Sequence, residues 1–127
     1  SVKGVFAAND GMGMGALEAL RQNGLAGKVP VVGIDGIDAA VTAIEAGEFA
    51  GTVAWDPIWT GGMGLAIPYA HATGKIDIIK EPREHREFYG TGIIVSKDTV
   101  ADYKNNPPKV DYNDLWGKAT GQIQYRS

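Results

Sequence analysis

The sequence predicts an α/β fold, a parallel sheet with flanking helices, and three observations carry that expectation. Short apolar runs alternate with longer helix-like stretches in the order β-α-β-α-β-α over residues 1–74. Each apolar run has only a few residues, the size of a strand buried on both faces. Each is bounded by glycine, proline or a polar pair, the residues that end strands and start helices. Strands that alternate with helices pair in parallel through right-handed crossovers.

The first strand is read at residues 4–8 (GVFAA), and a helix follows from Asp10, an expected N-cap, with Ala16, Leu17, Ala19 and Leu20 as its apolar face. Asn23-Gly24 marks its end, because glycine takes the left-handed conformation beyond a helix C-terminus. Residues 30–34 (PVVGI) read as the second strand, and residues 37–46 as a helix closed by Gly47. Residues 51–54 (GTVA) begin the third strand, which runs into Trp55-Asp56-Pro57. A longer helix is expected to Thr73-Gly74, with a kink or break at Pro68. Residues 92–96 (GIIVS) read as a strand and 97–103 as a short helix. Asn105-Asn106-Pro107-Pro108 then breaks the chain ahead of an extended tail anchored by Leu115 and Trp116.

Composition narrows the partners. The 127 residues suffice for one domain with a core, and 44% of them are hydrophobic, too many for disorder. A net charge of −3 with no basic stripe argues against nucleic acid. No apolar run approaches the roughly 18 residues of a membrane span. The absence of cysteine excludes disulfides and thiolate metal sites and suits a secreted or periplasmic protein. The chain opens at Ser1 and enters a strand almost at once, which reads as a fragment whose signal peptide is absent or already removed.

The stretch "NDGMGMG" raises the question of a phosphate loop. Gly11, Gly13 and Gly15 spell G-x-G-x-G, not the dinucleotide G-x-G-x-x-G, and the P-loop lysine is absent. The Asp10 carboxylate would also disfavour a phosphate. Small residues that let the helix pack closely on the sheet are the simpler account, although each glycine costs about 1 kcal/mol against alanine.

In a parallel sheet, ligands bind outside the carboxyl ends of the strands. The three strands end at Asn9-Asp10, Asp35 and Trp55-Asp56, one β-α unit apart each. An amide, carboxylates and an aromatic ring on one edge can exchange hydrogen bonds with hydroxyls and stack on an apolar ring face. A neutral sugar or polyol needs such a set. Capping is the competing role. Asp10 and Asp38 are assigned to it, while Asn9 and Asp35 stand evenly between capping and binding. Trp55 is expected to turn its ring into the crevice. His71 and His85 lack the spaced partners of a triad or a metal site, so no catalytic residue, metal or cofactor is expected. The charge run at 81–87 (EPREHRE) reads as a solvated face.

Three stretches together, "GVFAANDGMGMGALEAL", "VPVVGIDGIDAAVTAIEAGEFAGTVAWDP" and "GTGIIVS", resemble the carboxyl-terminal part of periplasmic sugar-binding proteins, the ribose-binding-like type I components of ABC importers. The resemblance covers residues 2 to about 96. It implies one incomplete lobe of a two-lobed, non-enzymatic periplasmic binder that closes on a small neutral carbohydrate and delivers it to a membrane permease. It assigns ligand contacts to Asn9, Asp35 and Trp55. The family often carries Gln where this chain has Trp55, so either Trp55 stacks or Asp56 takes the polar role.

The same resemblance divides the chain into the ligand-binding core of the lobe at 1–74, a hinge crossing and return strand at 75–96, and a short helix and tail at 97–127. It implies that 92–96 would pair in an absent lobe, that the tail from Asp111 lacks its partner, and that the isolated piece self-associates through 88–96 or the tail. The effector core of a LacI-type regulator is the alternative, disfavoured by Gly36 where regulators more often carry a second Asp. A small carbohydrate-active α/β enzyme using Asp35 or Asp56 is a second alternative.

Overall fold

The computed structural model describes residues 1–117 and 123–125. The elements run β1 (Val5–Phe6), α1 (Asp10–Gln22), β2 (Val31–Asp35), α2 (Asp38–Glu45), β3 (Gly51–Ala54), α3 (Pro57–Ala72), a 3-10 turn (Arg83–His85), β4 (Phe88–Gly90), β5 (Ile93–Ser96), α4 (Val100–Asn105) and β6 (Ile123–Tyr125). The expected β-α alternation is present. The helix ends follow the glycine signals, with Gly24 at φ +66° and Gly47 at φ +79°. The helix α3 runs through Pro68 without a break. The short carboxyl-terminal helix begins at Val100 rather than Lys97.

The chain divides into two compact units, residues 1–55 with 92–107, and residues 56–91 with 108–127. This division differs from the segments 1–74, 75–96 and 97–127 expected from sequence, because α3 groups with the residues that follow it.

The first unit holds a four-stranded sheet in the order β1-β2-β3-β5. The strands β1, β2 and β3 are parallel, with Val5 opposite Val31 and Asp35 opposite Ala54. The strand β5 adds antiparallel to β3, pairing Ile93 with Ala54 and Ser96 with Gly51. Residues 92–96 therefore need no absent lobe to form a strand. The outer edge of β3 offers unpaired backbone groups, and Val95 gains full burial there. One sheet face packs on α1, α2 and α4 around Leu17, Val31, Ala40, Val41, Ile44, Phe49, Ala54, Val95 and Val100.

Gly13 explains part of the glycine series. A Cβ there would lie 2.7 Å from the Phe49 ring, so this glycine admits the core aromatic. Close packing does not account for Gly15, where a Cβ would meet nothing within 4 Å, nor for Gly11, where the nearest atom is the Asn9 oxygen.

In the second unit, α3 buries Trp59 and Met63 against Ala66, Ile67, Val110 and Trp116. The His85 ring stacks on Trp116 at a centroid distance of 4.4 Å, and its Nδ1 lies 2.6 Å from Glu81 Oε2. The strands β4 and β6 pair antiparallel. Both the 110–116 stretch and β6 thus have partners, contrary to the expectation of an unpartnered tail. Trp116 anchors as expected, and the charge run at 81–87 holds one half-buried histidine rather than a wholly solvated face.

Candidate ligand site

The site is built at the carboxyl ends of β1, β2 and β3. Asn9 follows β1 in extended conformation, φ −152° and ψ 169°, and its Oδ1 accepts from Met12 N at 2.8 Å. Asn9 is therefore the N-cap of α1, the role sequence reasoning gave to Asp10. The cap uses only the oxygen, and the Nδ2 group remains a donor.

Asp10 does something else. It is the first residue of α1 and fully buried, and its Oδ2 accepts from Gly36 N at 2.7 Å and Ile37 N at 3.1 Å. The carboxylate ties α1 to the turn between β2 and α2. Gly33 makes the approach possible, because a Cβ there would sit 2.3 Å from Asp10 Oδ1. Gly36 is needed twice over. Its φ is +78°, and a Cβ would lie 2.5 Å from the Ala54 Cβ. Asp38 does not cap α2. Ile37 holds the N-cap position without a side-chain bond, and the backbone there is fixed from α1 instead.

Asp35 ends β2 exposed, with a φ of +129°, the one positive value outside glycine among the described residues. A non-glycine residue in that region costs of order 1–3 kcal/mol and persists only where its surroundings hold it. Two bonds flank it. Its carbonyl accepts from Trp55 N at 3.1 Å, and the next amide, Gly36 N, is held by Asp10.

Trp55 follows β3 and is 41% exposed. A Cβ on Gly92 would lie 3.6 Å from the Trp55 ring and 2.6 Å from Val53 Cγ1, so Gly92 leaves room for the indole beside the end of β5. Asp35 and Trp55 are thus joined through the backbone, and Asn9 is linked to them through its neighbour Asp10. Asp56 is engaged differently. Its Oδ1 accepts from Ile58 N and Trp59 N, both at 2.9 Å, capping α3.

Sequence reasoning missed Asp10 as a tie between elements. The signal was present in "VVGIDG", where Gly33 admits a carboxylate from the neighbouring helix and Gly36 makes the turn whose amide that carboxylate accepts. Among the described residues no cluster of three His, Asp or Glu side chains could hold a metal ion. None of the described helices is long and apolar enough to cross a membrane.

Residues 1–76 match the periplasmic binding protein domain. The chain belongs to this family. Within the family, the chain is 42% identical over 81 residues to a xylitol-binding protein of Mycolicibacterium smegmatis, covering 64% of this chain and 23% of that protein. It is 42% identical over 77 residues to the D-allose-binding periplasmic protein of Escherichia coli, covering 60% and 25%. The crystal structure of a twin-arginine translocation pathway signal protein from Burkholderia phytofirmans superposes with a TM-score of 0.83 at 43% identity, over 98% of this chain and 39% of that one. The chain spans about a quarter of the length of the curated relatives it matches. These matches bear out the type I binding-protein fold read from the sequence.

Proposed function

We propose that this chain contributes to the substrate-binding component of a periplasmic ABC importer that captures a small neutral sugar or polyol and hands it to a membrane permease. The observation that carries this reading is Asp35, an exposed carboxylate on strained backbone, clamped from both sides at the carboxyl edge of the sheet. Strain of this kind gathers where a ligand is held. Asn9 Nδ2 supplies a donor, Asp35 an acceptor pair and Trp55 a stacking face, which together suit hydroxyls on an apolar ring. The relatives named for xylitol and D-allose support a carbohydrate or polyol, and they favour capture over regulation or turnover. Of the two residues offered after β3, Trp55 is the better ligand contact, because Asp56 already serves two backbone donors.

The test is titration calorimetry with pentoses, hexoses and polyols on the native protein containing this sequence. Asp35→Ala abolishes measurable binding if the reading holds, and unchanged affinity overturns it. Trp55→Ala weakens binding if the ring stacks on the sugar. The 127-residue chain alone should bind no better than about millimolar. Each open-edge hydrogen bond contributes only about 0.5–1.5 kcal/mol, against an association cost of at least about 4 kcal/mol. In isolation the chain should also self-associate. Phe6 (79% exposed) and Ile94 (71% exposed) on the sheet support this. Light scattering that shows a clean monomer at high concentration overturns that expectation.

A further inference from the structure

Asp10 is a fully buried carboxylate whose bonds go to another element rather than to its own helix. Its Oδ2 accepts from Gly36 N and Ile37 N, and its Oδ1 has no hydrogen-bond partner among the described residues. A buried, half-satisfied carboxylate is costly, and its retention asks for a reason.

The reason lies one residue before the amides it holds. Strand alternation assigns Asp35 to the face of the buried Val31 and Gly33. Asp35 is exposed instead, and its φ of +129° is the departure from strand geometry that accompanies this. That backbone is unfavourable for an aspartate unless both adjoining peptides are fixed. Trp55 N fixes the carbonyl of Asp35, and Asp10 fixes the following amide and the one after it.

We propose that Asp10 is a positioning residue for Asp35, holding the 35–36 backbone in the strained conformation that presents the Asp35 carboxylate to ligand. The proposal rests on the sugar-site reading for its ligand half and on geometry alone for its structural half. Gly33 and Gly36 belong to the same device. The first admits the carboxylate, and the second completes the turn at positive φ.

The experiment uses Asp10→Asn in the native protein containing this sequence, alone and combined with Asp35→Gly. The variant keeps the shape of the side chain but replaces a charged acceptor with a neutral one. Sugar affinity should fall about tenfold, the scale of weakening one charge-assisted bond. Hydrogen–deuterium exchange at residues 36–37 should accelerate about tenfold or more, since those amides lose their strong acceptor.

The decisive reading is the melting cycle. Glycine adopts φ +129° without penalty, so Asp10→Asn should lower the melting temperature less when residue 35 is glycine. Equal losses in both backgrounds, with exchange at 36–37 unchanged, overturn the proposal and leave Asp10 as an anchor of α1. If Asp10→Asn does not fold, Ile37→Pro decides. Residue 37 has φ −66°, which suits proline, and the substitution deletes one donor to Asp10. It should weaken sugar binding several-fold, and unchanged binding with unchanged exchange at the Gly36 amide overturns the proposal. Asp35→Ala separates the two readings. Unchanged sugar binding there overturns the sugar site and with it the ligand role of Asp10, while the melting cycle alone decides whether Asp10 holds the 35–36 backbone.

Discussion

Residues 1–55 with 92–107 close around Leu17, Val31, Ile44 and Val95, all at 0% exposure, whereas among the described residues of 56–91 with 108–127 the cluster gathers around Trp59 and Met63. The helices show why. In α2, Ala40, Val41, Ala43 and Ile44 are buried while Thr42 and Glu45 face water, so one stripe matches one sheet face. In α3, Trp59, Met63 and Ala70 are buried, yet Ile58, Leu65 and Tyr69 are 67%, 77% and 65% exposed. A helix that is apolar on every side belongs in an interior, and this unit covers only part of it. A sheet face is what turns a modest apolar stripe into a core. In α3 the buried Trp59, Met63 and Ala70 share one helical face, and the apolar residues Ile58, Leu65 and Tyr69 elsewhere on the helix stay exposed.

Four measurements would break or sharpen that contrast. The largest effect is expected at Leu17→Ala, which opens a cavity in the sheet-backed core and should cost about 3 kcal/mol by chemical denaturation. A cost under about 1 kcal/mol would mean this core is no better packed than the Trp59 cluster. Next comes Trp116→Ala, which removes a half-buried ring from that cluster and should cost about 2 kcal/mol. Amide exchange should accelerate in α3 and stay unchanged in β2 and β3, and uniform acceleration would show that the two regions melt as one.

Asp35→Gly works in the opposite direction. It relieves the positive φ and should stabilise the chain by about 1 kcal/mol while removing sugar binding. A lowered melting temperature would show that Asp35 is not strained in solution.

The smallest effect is at the surface of the first unit. Lys104 Nζ lies 2.7 Å from Glu45 Oε2, and that hydrogen bond, with the lysine charge, holds the Glu45 carboxyl below its usual 4.5. A depressed carboxyl pKa contributes stability that is present above the unfolded value and is lost as pH falls through the folded one. Lys104→Met should therefore lower the melting temperature slightly at neutral pH and low salt, and the two curves should converge as pH falls from the usual 4.5 through the lowered Glu45 value. A difference that persists in acid would trace to the lysine stem rather than its charge.

Much of the first unit was legible from local pattern. The strands in PVVGI and GTVA and the helix ends at Gly24 and Gly47 follow from apolar run length and from glycine's access to positive φ. The junctions Asn9, Asp35 and Trp55 were legible as a set because a parallel sheet puts every strand's carboxyl end on one edge. The partner of residues 93–96 was not, since an apolar run of that length suits any open strand edge. Nor was the role of Asp56, where the same residue type serves as cap or ligand.

By itself the sequence determined the β-α order, the sheet's parallel core, the junction residues at its carboxyl edge and the absence of thiolate chemistry, because these depend on periodicity and residue type over neighbouring positions. Only the tertiary structure decided that Asn9 caps α1, that Asp10 reaches across to Gly36 and Ile37, and that Asp35 stands on strained backbone. Those facts depend on which backbone amides come within about 3 Å of a carboxylate, a distance between residues far apart in the chain that no local pattern encodes.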